Sequence, residues 1–186
     1  KIFHTMNIQN KTAIVTGASR GIGLAIAKAL VNEGVTVAGW SRTPPDTFTH
    51  DRFHHIKADL TVETSVNEAF EETVNKLGDS IPILINNAGM GYRGVMDEMP
   101  SDKWRELFDL NVHGLFYTTK RIIPGMKEAG EGHIINIGSG AGTNGIAGMS
   151  AYCGTKFAVV GITESLHQEL RDFGVKVSCL SPGSVD

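Results

Sequence analysis

Thr16-Gly17-Ala18-Ser19-Arg20-Gly21-Ile22-Gly23 is the stretch on which the fold turns. It begins where a buried-strand pattern, Thr12-Ala13-Ile14-Val15-Thr16, runs out. It ends where Ile22, Ala25, Ile26, Ala29 and Leu30 start to recur at helical spacing. Glycines spaced G-x-x-x-G-x-G at a strand-to-helix junction permit a tight turn and bring bare backbone close to a ligand. They also aim the amides of a helix N-terminus at that ligand, an arrangement suited to the negative charge of a pyrophosphate. The spacing departs from the commoner G-x-G-x-x-G. It also lacks the Gly-Lys-Ser/Thr ending of a triphosphate loop, which argues against a kinase or ATPase.

Outward from this turn, strands and helices alternate. Gly34 stops the first helix, and further strands are expected over residues 35–39, Phe53–Lys57, Ile83–Asn86, 134–137 and Val175–Leu180. Helices are expected over residues 62–77, 101–129 (capped by Ser101 and bent or interrupted near Pro124) and 151–172. The pattern predicts an α/β protein, a doubly wound Rossmann-type parallel sheet of six strands flanked by helices. No repeat, low-complexity tract or linker divides the chain, so residues 1–186 read as one dinucleotide-binding and catalytic domain, with residues 1–9 an N-terminal extension.

Composition narrows the function. With 41% hydrophobic and 20% charged residues the chain is that of a globular protein. Its 17 Lys and Arg against 20 Asp and Glu give no basic excess for a nucleic-acid backbone. No apolar run reaches the roughly 20 residues of a membrane span. Two cysteines, Cys153 and Cys179, are too few for a disulfide scaffold and suit a reducing cytoplasm. Both read as packing residues, Cys179 within an apolar core strand. The seven histidines are scattered without zinc-site spacing, and no metal is expected.

Three side chains carry chemistry. Tyr152 and Lys156 are four apart in a helical segment and project from one face. A phenol with a pKa near ~10 is a poor base at neutral pH, and a neighbouring ammonium stabilises its phenolate. Ser139 stands 13 residues earlier, after the fifth strand, where the crevice of a parallel sheet lies. A hydroxyl there is placed to hold a carbonyl oxygen while Tyr152 delivers a proton.

Together these motifs are similar to those of the short-chain dehydrogenase/reductases. Thr16 to Gly23, Asp59-Leu60, Asn86-Asn87-Ala88-Gly89, Asn111, Ser139, Tyr152-x-x-x-Lys156 and Pro182-Gly183 occur in that family's order, from about Asn10 to the last residue. The resemblance implies a nicotinamide cofactor held by Gly17, Ser19, Arg20, Gly21, Ile22 and Gly23. It sets Asp59 and Leu60 against the adenine and Asn87, Ala88 and Gly89 along a ribose. Lys156, Tyr152, Pro182 and Gly183 complete the cofactor site, and Asn111 holds a water that links Lys156 to solvent.

Cofactor choice is read just after the second strand. A carboxylate there binds the free 2′-hydroxyl and repels a 2′-phosphate. This chain has Ser41 instead, followed by Arg42, whose guanidinium suits a phosphate. Arg20 is placed to reach the same group, so NADP (NADPH) is expected.

The resulting expectation is an oxidoreductase moving a hydride between NADP(H) and a carbonyl or alcohol, with Tyr152 as acid and base and Asn111, Ser139 and Lys156 beside it. The alternatives are a non-catalytic NADP-binding paralogue, a truncated and weakly active fragment, and a nucleotide-sugar epimerase or dehydratase. Long helices beginning near Ser101 and Ala151 resemble those that pair between subunits, which implies a homodimer or homotetramer. Residues 90–95 and 143–149 form a partly apolar substrate rim that names no substrate. Two departures from the family stand out. About 16 residues separate Arg42 from Asp59, too few for the usual helix between the second and third strands. Relatives also continue past Pro182-Gly183 with a substrate loop, another helix and a seventh strand, without which residues 175–180 form an apolar open edge.

Overall fold

The computed structural model describes residues 7–183. Six strands, β1 (Thr12–Thr16), β2 (Thr36–Ser41), β3 (Phe53–Lys57), β4 (Ile83–Asn86), β5 (Gly132–Ile137) and β6 (Val175–Leu180), form one sheet in the order β3-β2-β1-β4-β5-β6. Every pairing is parallel. Chain order reverses between β1 and β4, so the connections leave a crevice there, outside the carboxyl ends of the strands. The fold is the expected doubly wound Rossmann-type sheet.

The helices are α1 (Gly21–Asn32), α2 (Glu63–Leu77), α3 (Ser101–Phe108), α4 (Gly114–Ala129) and α5 (Ser150–Leu170). Alternating strand residues divide the core. Ala13, Val15, Val35 and Val37 pack with Ala27 and Val31 of α1, whereas Ile14, Ala38, Leu84 and Ile134 pack with Val66, Ile122, Met126 and Leu170. Trp40 is fully buried on the second face. An unpaired indole N–H there would cost about 1–3 kcal/mol; it donates to Thr73 Oγ1 of α2 at 2.9 Å.

No helix joins β2 to β3, as their spacing predicted. In its place Phe48 packs edge-on against Phe53, ring centroids 5.1 Å apart, and Lys28 of α1 lies over the Phe48 ring. Phe53 in turn fills the space above Gly39: a Cβ at Gly39 would stand 2.5 Å from its ring.

Three expectations are corrected. The helix expected over residues 101–129 is broken not at Pro124, which lies inside α4, but at a π turn, Asp109–His113, between α3 and α4. Pro124 is exposed and forfeits one backbone bond. The π turn is held open by side-chain bonds of Asn111, described below. Ser101 is not the cap of α3; Pro100 is, and Ser101 is the first helical residue. Cys179 is only half-buried: it shares the inward face of β6 with buried Val175 and Val177, but it lies near the end of what is the edge strand among the described residues, next to exposed Leu180.

Candidate functional site

The carboxyl ends of β1, β2 and β4 open into a cleft of about 1320 Å³. Its floor is the glycine turn. Gly17 has φ +67°, the left-handed region that favours glycine. A Cβ on Gly23 would overlap the Gly17 carbonyl oxygen and Asn87 Nδ2, so only bare backbone fits. Arg20 occupies the cap position of α1, yet no side chain caps the helix and its first turn has no acidic residue. Its amides therefore face the cleft with their partial positive charge uncompensated, as an anionic ligand requires. Ser19, Arg20, Gly21 and Ile22 all line the opening.

Thr16 holds this floor to β4. Its Oγ1 accepts from the amides of Asn87 and Ala88, each at 3.0 Å. Asn87 Nδ2 donates back to the carbonyls of Thr16 and Gly17 at 2.9 and 3.3 Å. Thr16 was legible as the last strand residue only; its role as a hub depends on β4, which lies 70 residues on.

One wall carries Ser41, Arg42, Asp59 and Leu60. The Ser41 hydroxyl donates to the Thr43 carbonyl at 2.8 Å, and the Arg42 side chain is exposed. Asp59 Oδ1 accepts from Thr61 N and Thr61 Oγ1 at 3.0 and 2.7 Å. Those bonds, chiefly the hydroxyl's, hold the Asp59 carboxyl below its usual range, and Arg42 adds to the effect. No carboxylate stands at position 41 to repel a phosphate.

The other wall is α5. Tyr152 and Lys156 both line the cleft, and the Lys156 ammonium lies 5.8 Å from the Tyr152 ring centroid. Against Gly91 the Tyr152 ring leaves ordinary contact distance, 3.9 Å from where a Cβ would be. Lys156 is 6% exposed, and its Nζ donates to the Ile137 carbonyl at the end of β5 at 2.8 Å. Burial lowers its pKa from the ordinary 10.5, and Cys179 works the other way.

Asn111 lies in the π turn, 3% exposed. Its Oδ1 accepts from Met90 N at 2.8 Å, while Nδ2 donates to Met90 O and to Thr155 Oγ1 at 2.9 and 3.0 Å. Such π turns occur often at functional sites. Ser139 follows β5 and accepts from Ala141 N at 3.2 Å, which leaves its own proton free. Ser139, Pro182 and Gly183 all lie outside the cleft lining; the Pro182 carbonyl accepts from Gly140 N. The two rim loops meet through one bond, from Gly94 N to Gly148 O at 2.8 Å. Residues not singled out from sequence, Glu106, Asp109 and Leu110, also border the cleft.

The comparisons agree with this geometry. The family model described as short chain dehydrogenase matches residues 11–186. A 3-oxoacyl-[acyl-carrier-protein] reductase of Vibrio harveyi is 35% identical, over 97% of this chain and 76% of its own. An oxidoreductase of Staphylococcus saprophyticus is 36% identical, over 97% of this chain and 81% of its own. Among solved structures, a short-chain dehydrogenase from Streptomyces avermitilis superposes with a TM-score of 0.92 at 36% identity, covering 96% of this chain and 67% of that one. The ligand-free aldohexose dehydrogenase of Thermoplasma acidophilum gives 0.88 at 33% identity, covering 96% and 68%. The chain belongs to the short-chain dehydrogenase family, a family of oxidoreductases that use nicotinamide cofactors. Among the described residues no helix is long and apolar enough to cross a membrane.

Proposed function

We propose that this chain is an NADP(H)-dependent oxidoreductase that interconverts a carbonyl and an alcohol, with Tyr152 as the general acid and base. The observation that carries the reading is that the uncapped N-terminus of α1 and the Tyr152–Lys156 turn of α5 border one cleft. The bare backbone at Gly17 and Gly23 fits a dinucleotide, which needs close approach and a helix N-terminus for its pyrophosphate. Asp59, Leu60, Asn87, Ala88 and Gly89 continue the same cleft toward an adenine and a ribose. Arg42, without a carboxylate at Ser41, favours a 2′-phosphate, with Arg20 on the facing turn.

Bound there, the nicotinamide supplies or takes up a hydride. This chain's residues handle the proton. The Tyr152 hydroxyl gives its proton to the carbonyl oxygen in reduction and recovers it in oxidation. Ser139 donates its free hydroxyl proton to the same oxygen and orients it. Lys156 sets a positive charge beside the phenol, and Asn111 holds the backbone on which the relay to solvent is built. The reductase activity in the name of the Vibrio harveyi relative accords with this direction.

Following NADPH absorbance against ketones, 3-oxoacyl thioesters and sugars tests the reading. Turnover that Tyr152→Phe abolishes, with NADPH affinity kept, supports it. NADPH binding without turnover on any of them would favour a non-catalytic paralogue. Exposed Trp104, Phe116 and Phe157 on α3, α4 and α5 support a homodimer or homotetramer, which sedimentation tests. Two free cysteines, Cys153 and Cys179, accord with a reducing cytoplasm.

A further inference from the structure

Asn86, the last residue of β4, is 6% exposed, and its Oδ1 has no hydrogen-bond partner among the described residues. A reversed amide does not remove the problem, because the neighbouring bonds fix its orientation. Thr163 Oγ1 donates to the Val159 carbonyl at 2.7 Å, so it must accept from Asn136 Nδ2, at 2.9 Å. That turns Asn136 Oδ1 toward Asn86, whose Nδ2 donates to it and to Thr119 Oγ1, both at 2.9 Å. Asn86 therefore gives its nitrogen to this network and is left with a bare oxygen. Native interiors satisfy such an acceptor, commonly with a buried water.

A small interior cavity of about 10 Å³ lies against Asn86, and Thr16, Asn111 and Lys156 supply the rest of its polar lining. That is about the room one water needs. Thr16 Oγ1 is committed to Ile85, Asn87 and Ala88, and the Asn111 carboxamide to Met90 and Thr155. Lys156 is different. Its ammonium has three protons, of which the Ile137 carbonyl accepts one.

We propose that one water occupies this cavity, accepting from Lys156 Nζ and donating to Asn86 Oδ1, and that Asn86 is thereby a positioning residue for the ammonium. The water gives a buried cation a second acceptor and ties it through Asn86, Asn136 and Thr163 to its own helix, two turns along. The titratable groups facing Nζ are Tyr152 on α5 and Cys179 on β6; neither supplies that bond. The importance of the positioning rests on the role given to Lys156 above; the water site does not.

Two measurements on the cofactor-free protein test it. A high-resolution crystal structure is expected to place a water within about 3.2 Å of both atoms. NMR titration with lysine labelled at Cε reads the Lys156 midpoint directly. Asn86→Leu, which keeps the branched shape of Asn and removes Oδ1, is expected to lower that midpoint by about half a unit or more. Thr119→Val, which removes a partner of the same carboxamide but keeps Oδ1, is expected to leave it in place. A cavity without water, a water that misses Asn86 Oδ1, or a midpoint that moves equally in both variants or in neither overturns the proposal. Turnover enters neither measurement, so failure of the enzymatic reading would be seen separately.

Discussion

Asn111 Nδ2 donates to Thr155 Oγ1 at 3.0 Å, and so joins the π turn between α3 and α4 to α5 one residue ahead of Lys156. The same carboxamide makes two bonds to Met90, so one side chain fastens three segments around the cleft. Thr155→Val keeps the shape and removes this acceptor together with the bond that the Thr155 hydroxyl donates to the Tyr152 carbonyl at 2.8 Å. It is expected to destabilise the protein by about 1–2 kcal/mol in urea unfolding and to lower kcat more than it weakens NADPH. Asn111→Leu strips all three bonds, and a loss of roughly 3 kcal/mol or more is expected. A smaller loss for Asn111→Leu than for Thr155→Val would mean that the π turn has another cause.

The glycine floor makes a different prediction. In Gly23→Ala the new methyl group meets the Gly17 carbonyl and Asn87 Nδ2, which itself clamps that turn. Backbone must shift, at about 1–3 kcal/mol. Fluorescence titration is expected to show NADPH affinity reduced at least about tenfold, or about 1.4 kcal/mol. Unchanged affinity would separate this turn from cofactor binding.

Cofactor preference depends on Arg42. A charge-assisted bond to a phosphate is worth about 1.5–3 kcal/mol, so Arg42→Ala is expected to weaken NADPH about tenfold to a hundredfold and to leave NADH nearly unaffected. Adding Ser41→Asp is expected to turn the preference toward NADH, since a carboxylate there accepts from the free ribose hydroxyl. Equal losses for both cofactors would place Arg42 outside the selectivity.

Lys156 gives a pH dependence. Burial puts its folded-state pKa below 10.5. Between the folded midpoint and 10.5 the unfolded chain holds more protons at this site than the folded one, so stability rises with pH across that window. Compared with Lys156→Met, in which the other alkaline titrations are retained, the wild-type protein is expected to gain relative stability as pH is raised through it. Parallel urea unfolding of the two proteins checks this, and a constant difference would show that the ammonium is not desolvated.

Much of the architecture was legible in the sequence because its causes are local. The run Thr12–Thr16, the glycine turn and the helical spacing after Ile22 lie within a few residues of one another, and so do Tyr152 and Lys156. What was not legible is caused at a distance. The π turn is made by bonds from Asn111 to Met90 and Thr155, 21 and 44 residues away. Pro124 drew the expected break because a missing N–H is visible in sequence, whereas its exposed setting, where one lost bond is tolerated, is not. Thr16 and Asn86 look like ordinary strand ends, and only the pairing of β4 with β1 and β5 brings their partners to them.

The arrangement of Gly39 beneath Phe53, with Phe48 folded over it, bears on any attempt to recombine this protein with its relatives. A longer β2–β3 connection grafted from another family member would arrive with a helix whose side chains compete for the volume these two rings fill. Position 39 would then be under-filled if the rings were removed, and overcrowded if a larger residue came with the graft while Phe53 stayed. Gly39, Phe48 and Phe53 should be exchanged as one block, with the boundaries of the graft set outside all three.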